Sequence, residues 1–456
     1  MELFVTKKLI KLKAWLRNVA YKFTKEDGVE FIISFIVILL ALIWLYSSHQ
    51  NDFSNIIDLT IFFAIVATML LQIVARFTKN RIINWIEDDI KLDSNYKKLT
   101  KRYPPIFYPD GNFFDPLMQI DNSFSDFVNL KVLRKYGAEH KCRLPIIVDY
   151  TFFNNISIAI EDCNTRYEPP ADINQCLQTL MKAHKTSSIY NQLNIRIDEW
   201  RVIKDVFIMR TSRTTYFDSL ITNRAMDFSW PTGTNTRDQY QYGPFVPNLT
   251  TESPLSNHLG FNGIIVSKDE QIPFIHRSRI VSIGKKTYGT SIGASLKTQY
   301  ALNQNRIFDV NGLEMAIIQE IQDEIKLERN DLVNFSVNSN VIAAYRDLVE
   351  GGKPQLLFYA KSNLTSKEIT YKFNSKIASA KNTREKWDTK SKVFEDGDKL
   401  LWLSLNDLYR ASFCENMMVV SGKPLYLTPS SIASILIFLQ YCRNRRTVNS
   451  TDTIIE

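Results

Sequence analysis

Two long apolar runs near the N-terminus constrain this chain more than any other feature. Residues 31–50 (FIISFIVILLALIWLYSSHQ) and 59–75 (LTIFFAIVATMLLQIVA) carry no Asp, Glu, Lys or Arg. Each is of a length that, as a helix, suits a hydrocarbon layer roughly 30 Å thick. A cleaved signal would be shorter, and a second apolar span would not follow it so closely. The pattern predicts a helical hairpin over 28–77. Lys7, Lys8, Lys11, Lys13, Arg17, Lys22 and Lys25 precede the first run, and Arg76, Lys79 and Arg81 follow the second, whereas the link SSHQNDFSNIID has neither Lys nor Arg. The positive-inside rule therefore puts both termini on the cytoplasmic side of a lipid bilayer, with Trp44 and Tyr46 placed as interfacial aromatics. No acidic or basic residue sits inside either run, which argues against an ion relay or a voltage sensor.

Composition says what the rest of the chain is. Hydrophobic residues make up 45% of the 456, yet mean hydropathy is −0.17, so the strongly apolar material is local and the remainder reads as ordinary soluble protein. A net charge of +8 suits an anionic partner, whether a phospholipid headgroup, a nucleotide or a nucleic acid, and charge alone does not choose among them; direct binding to a nucleic-acid duplex is not expected. The five cysteines are scattered, with no CxxC pair, and read as small buried hydrophobes in a reducing compartment. The five histidines are dispersed, and GGKP at 351–354 does not continue as a phosphate loop.

The organisation expected is a basic flank over 1–27, the hairpin over 28–77, a helical stalk over 78–104 ending at Pro104 and Pro105, a connecting region or small domain over 105–204, the main domain over 205–440 and a tail over 441–456. In the main domain, aromatic and β-branched runs at 202–218, 261–278 and 354–363 read as strands. An apolar stripe of Leu313, Ala316, Ile317, Ile321, Ile325 and Leu327 predicts an amphipathic helix over 313–327. Strands flanking a helix make an α/β (α+β) sandwich. At the C-terminus, LTPSSIASILIFLQYCRNRR has too few apolar residues to span a bilayer; Ser430 and Ser431 are the candidate caps of a buried helix.

One constellation carries chemistry. Glu320, Asp323 and Glu324 fall at spacings of three and four, so their carboxylates project from adjacent turns of one helix face. Such a cluster suits a hard divalent cation such as Mg²⁺, which bridges phosphates and activates water. The same triplet also arises as a solvated acidic stripe.

The surrounding residues resemble the Nudix hydrolase superfamily. That family's box ends in a helix of the form Arg-Glu-apolar-x-Glu-Glu-x-Gly-apolar, and here Gln319 to Leu327 reads QEIQDEIKL, retaining the three acid positions. Upstream, NHLGFNGIIVSKDEQIPFIHRS is similar to the strand pair that ends in Arg-Ser (Arg277, Ser278), and TYGTSIGAS places Gly293 at the glycine loop. The resemblance covers about 205–425 and implies metal ligation by Glu320, Asp323 and Glu324, with Glu320 and Glu324 as the catalytic pair. Arg277, Lys285, Lys286 and Gly293 are the ligand-binding candidates. Departures are Asn311, Gln319 and Lys326 where the box has glutamate, arginine and glycine, with extra residues before the helix. Loss of the orienting arginine points to metal binding without efficient hydrolysis.

A membrane hairpin joined to a degenerate Nudix domain is similar in architecture to membrane effectors of bacterial cyclic-oligonucleotide-based (CBASS) antiphage systems. That likeness implies an inner-membrane protein that binds a nucleotide second messenger such as a cyclic oligonucleotide, forms a homo-oligomer and disrupts the membrane. The alternative is an anchored Mg²⁺-dependent hydrolase of nucleoside diphosphate derivatives, in which Glu314 or Glu328 repairs the box. A scaffold that binds only proteins is a third reading.

Overall fold

The computed structural model describes residues 100–109, 113–121, 141–154, 156–182, 191–243, 245–277, 287–382, 397 and 399–452. All of them belong to one compact unit, Lys91–Ala183 with Tyr190–Glu456. The fold expected from the sequence, a transmembrane hairpin joined to a Nudix-like sandwich, requires correction. Among the described residues no helix is long and apolar enough to cross a membrane. What they form is an α/β domain with mixed sheets. The stretch 28–77 that carried the hairpin expectation lies outside the described residues. The longest described helix, Pro429–Asp452, lacks a continuous apolar span: its first half packs into the core and its second half carries Arg443 and Arg445.

The principal strands are β1 (Ile146–Thr151), β2 (Ser157–Arg166), β3 (Leu193–Ile203), β4 (Val206–Thr215), β5 (Gly260–Val266), β6 (Gln271–His276), β7 (Tyr288–Gly289), β8 (Ile292–Ser295), β9 (Val341–Asp347), β10 (Lys353–Lys361) and β11 (Lys399–Ser404). Four helices matter for the site: α1 (Tyr216–Ile221), α2 (Val310–Ile325), α3 (Ser366–Asn382) and α4 (Pro429–Asp452). A central five-stranded sheet runs in the order β8-β5-β10-β9-β1, with β5 and β10 parallel and the other pairs antiparallel. Flanking it are the three-stranded sheets β7-β6-β11 and β2-β4-β3. β1 comes from the stretch 105–204, so that stretch supplies an edge of the central sheet.

The central strands are buried on both faces, and they read as near-continuous apolar runs for that reason. In β5, Phe261 and Ile265 join the core cluster that holds Leu313, Ala316, Ile317 and Ile321 of α2. The intervening Ile264 joins Ile432, Ile435 and Phe438 of α4. Alternation along one strand thus places α2 on one face and α4 on the other.

Helix α2 starts three residues earlier than its apolar stripe predicts. Asp309 caps it, its carboxylate accepting from the Gly312 N–H at 2.7 Å. It stops at Ile325 because Lys326 turns into the left-handed region, φ 62°. Gly312 is required by a close approach: a Cβ there would collide with the Ala301 carbonyl oxygen. For α4 the cap is Thr428, whose hydroxyl accepts from the Ser431 N–H at 3.2 Å, rather than Ser430 or Ser431. Ser430 and Ser434 instead turn their hydroxyls to the buried Tyr345, at 2.8 and 3.3 Å.

Candidate functional site

Glu320 and Glu324 lie four residues apart on α2 and face the edge strand β8 and the turn after it. The two carboxylates have different partners. Glu320 pairs with the Lys297 ammonium, both side chains being at least nine-tenths buried. Glu324 accepts from the Gly293 backbone N–H, at 3.1 and 3.3 Å to its two oxygens. Asp323, rotated off that face, accepts from the Tyr300 hydroxyl at 2.9 Å and from the Gln319 amide at 3.1 Å. Gln319, at the box's arginine position, therefore still orients an acid of the triplet, with a neutral donor in place of a cation. Lys297 also stands 5.4 Å from the centre of the Tyr300 ring. Burial, with Asp323 alongside, raises the pKa of the Tyr300 phenol.

These partners bear on Mg²⁺. A divalent cation needs several open carboxylate oxygens at a shared point. Here Lys297 neutralises Glu320 from within the protein, Glu324 holds a backbone N–H, and Asp323 is bonded on both oxygens. Among the described residues no group of three or more His, Cys, Asp or Glu side chains is arranged to hold a metal. The set as it stands does not fit the ion. Nor does either spare glutamate complete it: Glu314 accepts from Arg329 (2.6 Å) and the Val337 N–H (3.2 Å), and Glu328 caps the turn Arg329–Asp331.

The fold brings two of the predicted ligand-binding residues together. Arg277, just after β6, lies over the glycines of β7 and β8: a Cβ on Gly289 would be 3.4 Å from its Nη1, and one on Gly293 would be 3.7 Å away. Gly293 opposes Asn262 in the sheet. The Asn262 amide donates to Tyr345 (2.6 Å) and Ser430 (3.1 Å), and its carbonyl accepts from Thr290 at 3.3 Å. Guanidinium, glycine edge and Glu324 thus meet at one end of the central sheet. Lys285 and Lys286 lie outside the described residues.

A second polar cluster, on the same sheet, was not anticipated from the sequence. His258 is buried, its Nε2 3.1 Å from the Ser295 hydroxyl, while its Nδ1 has no partner. Burial, with Lys353 nearby, holds its pKa well below the usual imidazole range, so the ring is neutral. Tyr216 meets it edge-on at 6.2 Å and accepts from Arg224 at 3.0 Å. Arg224 binds Glu350 at 2.7 Å, and Lys353 reaches the same carboxylate at 3.5 Å. Burial and the Glu350 charge push the Asp347 carboxyl up to about 7. Despite burial, Arg224 and Lys353 hold Glu350 at about 2. The one legible signal was the polar pair Lys353 and Gln355 at alternate positions of an otherwise apolar strand.

Phe217, next to Tyr216 on α1, is fully buried in the core. No protein-family model matches the chain, and no curated protein matches it.

Proposed function

We propose that this domain is a nucleotide receptor built on a Nudix-like frame in which a lysine has taken the place of the metal. It binds a nucleotide second messenger, such as a cyclic oligonucleotide, at Arg277, the Gly293 edge and the outer face of α2. Binding drives self-association, with output at the bacterial inner membrane in antiviral defence. The single observation that carries the reading is the buried Lys297–Glu320 pair. A protein cation fixed on the first acid of the box removes the charge that would recruit Mg²⁺, while the neighbouring Arg277 remains suited to charge-assisted contact with phosphate. An effector of this kind needs affinity, not turnover. Ligand and oligomer are then reciprocally coupled, since binding shifts the equilibrium only by its preference for the associated state.

The test is mass measurement of the full chain in detergent with a panel of cyclic di- and trinucleotides, beside dye release from vesicles carrying the protein. One ligand is expected to bind saturably, raise the mass and release dye, with Arg277→Ala weakening binding by about tenfold, the loss of one charge-assisted contact. Unchanged mass across the panel sinks the receptor reading. Magnesium-dependent product release that disappears in Glu324→Gln would make the protein a hydrolase.

A further inference from the structure

An apolar surface stands open where the described domain begins. The two-residue strands Ile106–Phe107 and Phe113–Phe114 pair antiparallel, with Ile106 opposite Phe114, so these two side chains share one face of the ribbon. Ile106, Phe114 and Tyr108, which follows the first strand, are 42%, 53% and 50% exposed. Three residues before Ile106, the buried Tyr103 meets Phe245 edge-on at 6.0 Å, and Phe245 is itself 39% exposed. Four large apolar side chains so exposed and so joined make a patch rather than scattered surface residues.

Beneath the patch the backbone is firmly held. Tyr103 packs into a small core with Leu117, Met226, Val246, Leu255 and Leu348. Arg143 donates to the Thr100 carbonyl at 3.1 Å, to the Tyr103 carbonyl and to Asp115 at 2.6 Å, so one guanidinium ties together the segments on either side of the ribbon. Arg237 holds Phe245 in the same way, donating to its carbonyl at 2.6 Å and to Asp227 at 2.6 Å. Asp227 also pairs with Arg102 at 2.8 Å. Asp115 and Asp227, the acids at the base of the patch, are therefore both neutralised by arginine.

What covers this patch follows from charge and from where the chain leads. Residues 94–109 hold Lys97, Lys98, Lys101 and Arg102 and no Asp or Glu. Only residues 76–99 separate Thr100 from the uncharged run that ends at Ala75, a tether of at most about 90 Å when fully extended. Pro104, Pro105 and Pro109 carry no N–H, so three donors that would resist a water-poor layer are missing. We propose that the ribbon is a membrane foot: Ile106, Tyr108, Phe114 and Phe245 enter the headgroup boundary of an anionic bilayer, with Lys101 and its basic neighbours on the headgroups. Aromatic rings suit that layer, and tyrosine adds a polar tip. The inference rests on the membrane output proposed above and adds the surface that holds the domain to the bilayer. It needs no nucleotide.

The experiment is photocrosslinking of the full chain in lipid nanodiscs without nucleotide, using Phe114→benzoylphenylalanine and, separately, Tyr108→benzoylphenylalanine. The discs contain phosphatidylcholine alone or phosphatidylcholine with phosphatidylglycerol. Adducts of lipid mass are expected at both positions, in higher yield in the anionic discs, whereas Tyr371→benzoylphenylalanine, 77% exposed on α3, should give none. Adding Lys101→Glu to the Phe114 variant should lower the yield in anionic discs by at least about fivefold, the effect of one basic residue at such a surface. Adducts at position 371 equal to those at position 114 overturn the proposal. So does protein–protein cross-linking in place of lipid adducts, which would seat a second copy on the patch. Equal yields in the two kinds of disc overturn the choice of an anionic surface. Discs that hold the chain but give no lipid adduct at position 108 or 114 overturn the foot alone. A chain that enters neither kind of disc overturns it together with the membrane output.

Discussion

Lys297 and Glu320 form an ion pair in which neither partner reaches solvent appreciably, their side chains being 10% and 4% exposed. Taking two charges out of water costs several kcal/mol per ion, and only their mutual attraction offsets it. Lys297 arrives from the turn after β8 and Glu320 from the third turn of α2, so the pair fastens the edge of the central sheet to the helix that covers it.

Removing one partner leaves an uncompensated buried charge. Lys297→Met should therefore destabilise the domain by about 3 kcal/mol, whereas Lys297→Met with Glu320→Gln should recover most of that loss. Thermal unfolding of the two variants beside wild type decides it. A double variant no more stable than the single one would mean that Lys297 acts through packing rather than charge.

The same pair governs divalent cations. With the ammonium gone, Glu320 and Glu324 present anionic oxygens one helical turn apart. Millimolar Mg²⁺ should raise the melting temperature of Lys297→Ala by a few degrees and leave wild type unmoved, as expected when a ligand binds only the folded state. An equal shift in wild type would show that Mg²⁺ coexists with the lysine.

How much of this could be read in advance follows from the range of the interactions. The apolar stripe of α2 and the runs that became β5, β6 and β10 were legible because periodicity is local and burial enforces it. Arg277 and Gly293 were singled out one by one, and only the fold brings them together. Lys297 was not, because its partner is 23 residues away and nothing in ASLKTQY marks a buried lysine. The pair His258 and Ser295, 37 residues apart, is likewise made by the register of β5 against β8. The transmembrane expectation rested on residues 28–77, where hydropathy spoke alone.

Stability against pH should expose Asp347 and His258 as opposed groups. Asp347, raised to about 7, keeps its proton in the folded state, while the unfolded chain releases it near the ordinary value of about 4. Its contribution therefore weakens stability as pH rises from about 4 to about 7. His258, held well below about 6.5, is neutral when folded and takes up a proton when unfolded, so its contribution is lost as pH falls below that value. Between pH 4 and 6.5 the two slopes, each at most about 1.4 kcal/mol per pH unit, nearly cancel. Glu350, lowered to about 2, acts only below its ordinary range. Wild type should accordingly be flat over pH 4.5–6.5, and Asp347→Asn should gain stability with pH across that window. Parallel profiles for the two proteins would remove Asp347 as a buried acid.

Gly312 tests the seating of α2. A methyl group there collides with the Ala301 carbonyl oxygen, and backbone cannot rotate aside as a side chain can. Gly312→Ala should cost more than about 2 kcal/mol by forcing α2 off the turn that carries Lys297, despite alanine's better helix propensity of about 1 kcal/mol. Unfolding measurements that show a neutral or stabilised variant would mean the helix start shifts freely.

Lys326 ends α2 in a conformation that L-residues avoid, φ 62° and ψ 26°, at the position where the Nudix box carries glycine. A side chain in that region is strained by roughly 1–2 kcal/mol, because its Cβ crowds the following carbonyl oxygen. Glycine relieves the strain but frees the unfolded chain, a loss of roughly 0.4–1 kcal/mol. The difference favours Lys326→Gly by about 0.5–1 kcal/mol, an increase in melting temperature readable by calorimetry. Lys326→Ala separates the two effects: it keeps the strain and removes only the lysine side chain, so it should leave stability near wild type. If alanine and glycine stabilised alike, the gain would come from removing the lysine side chain, and the left-handed turn would carry no strain worth relieving.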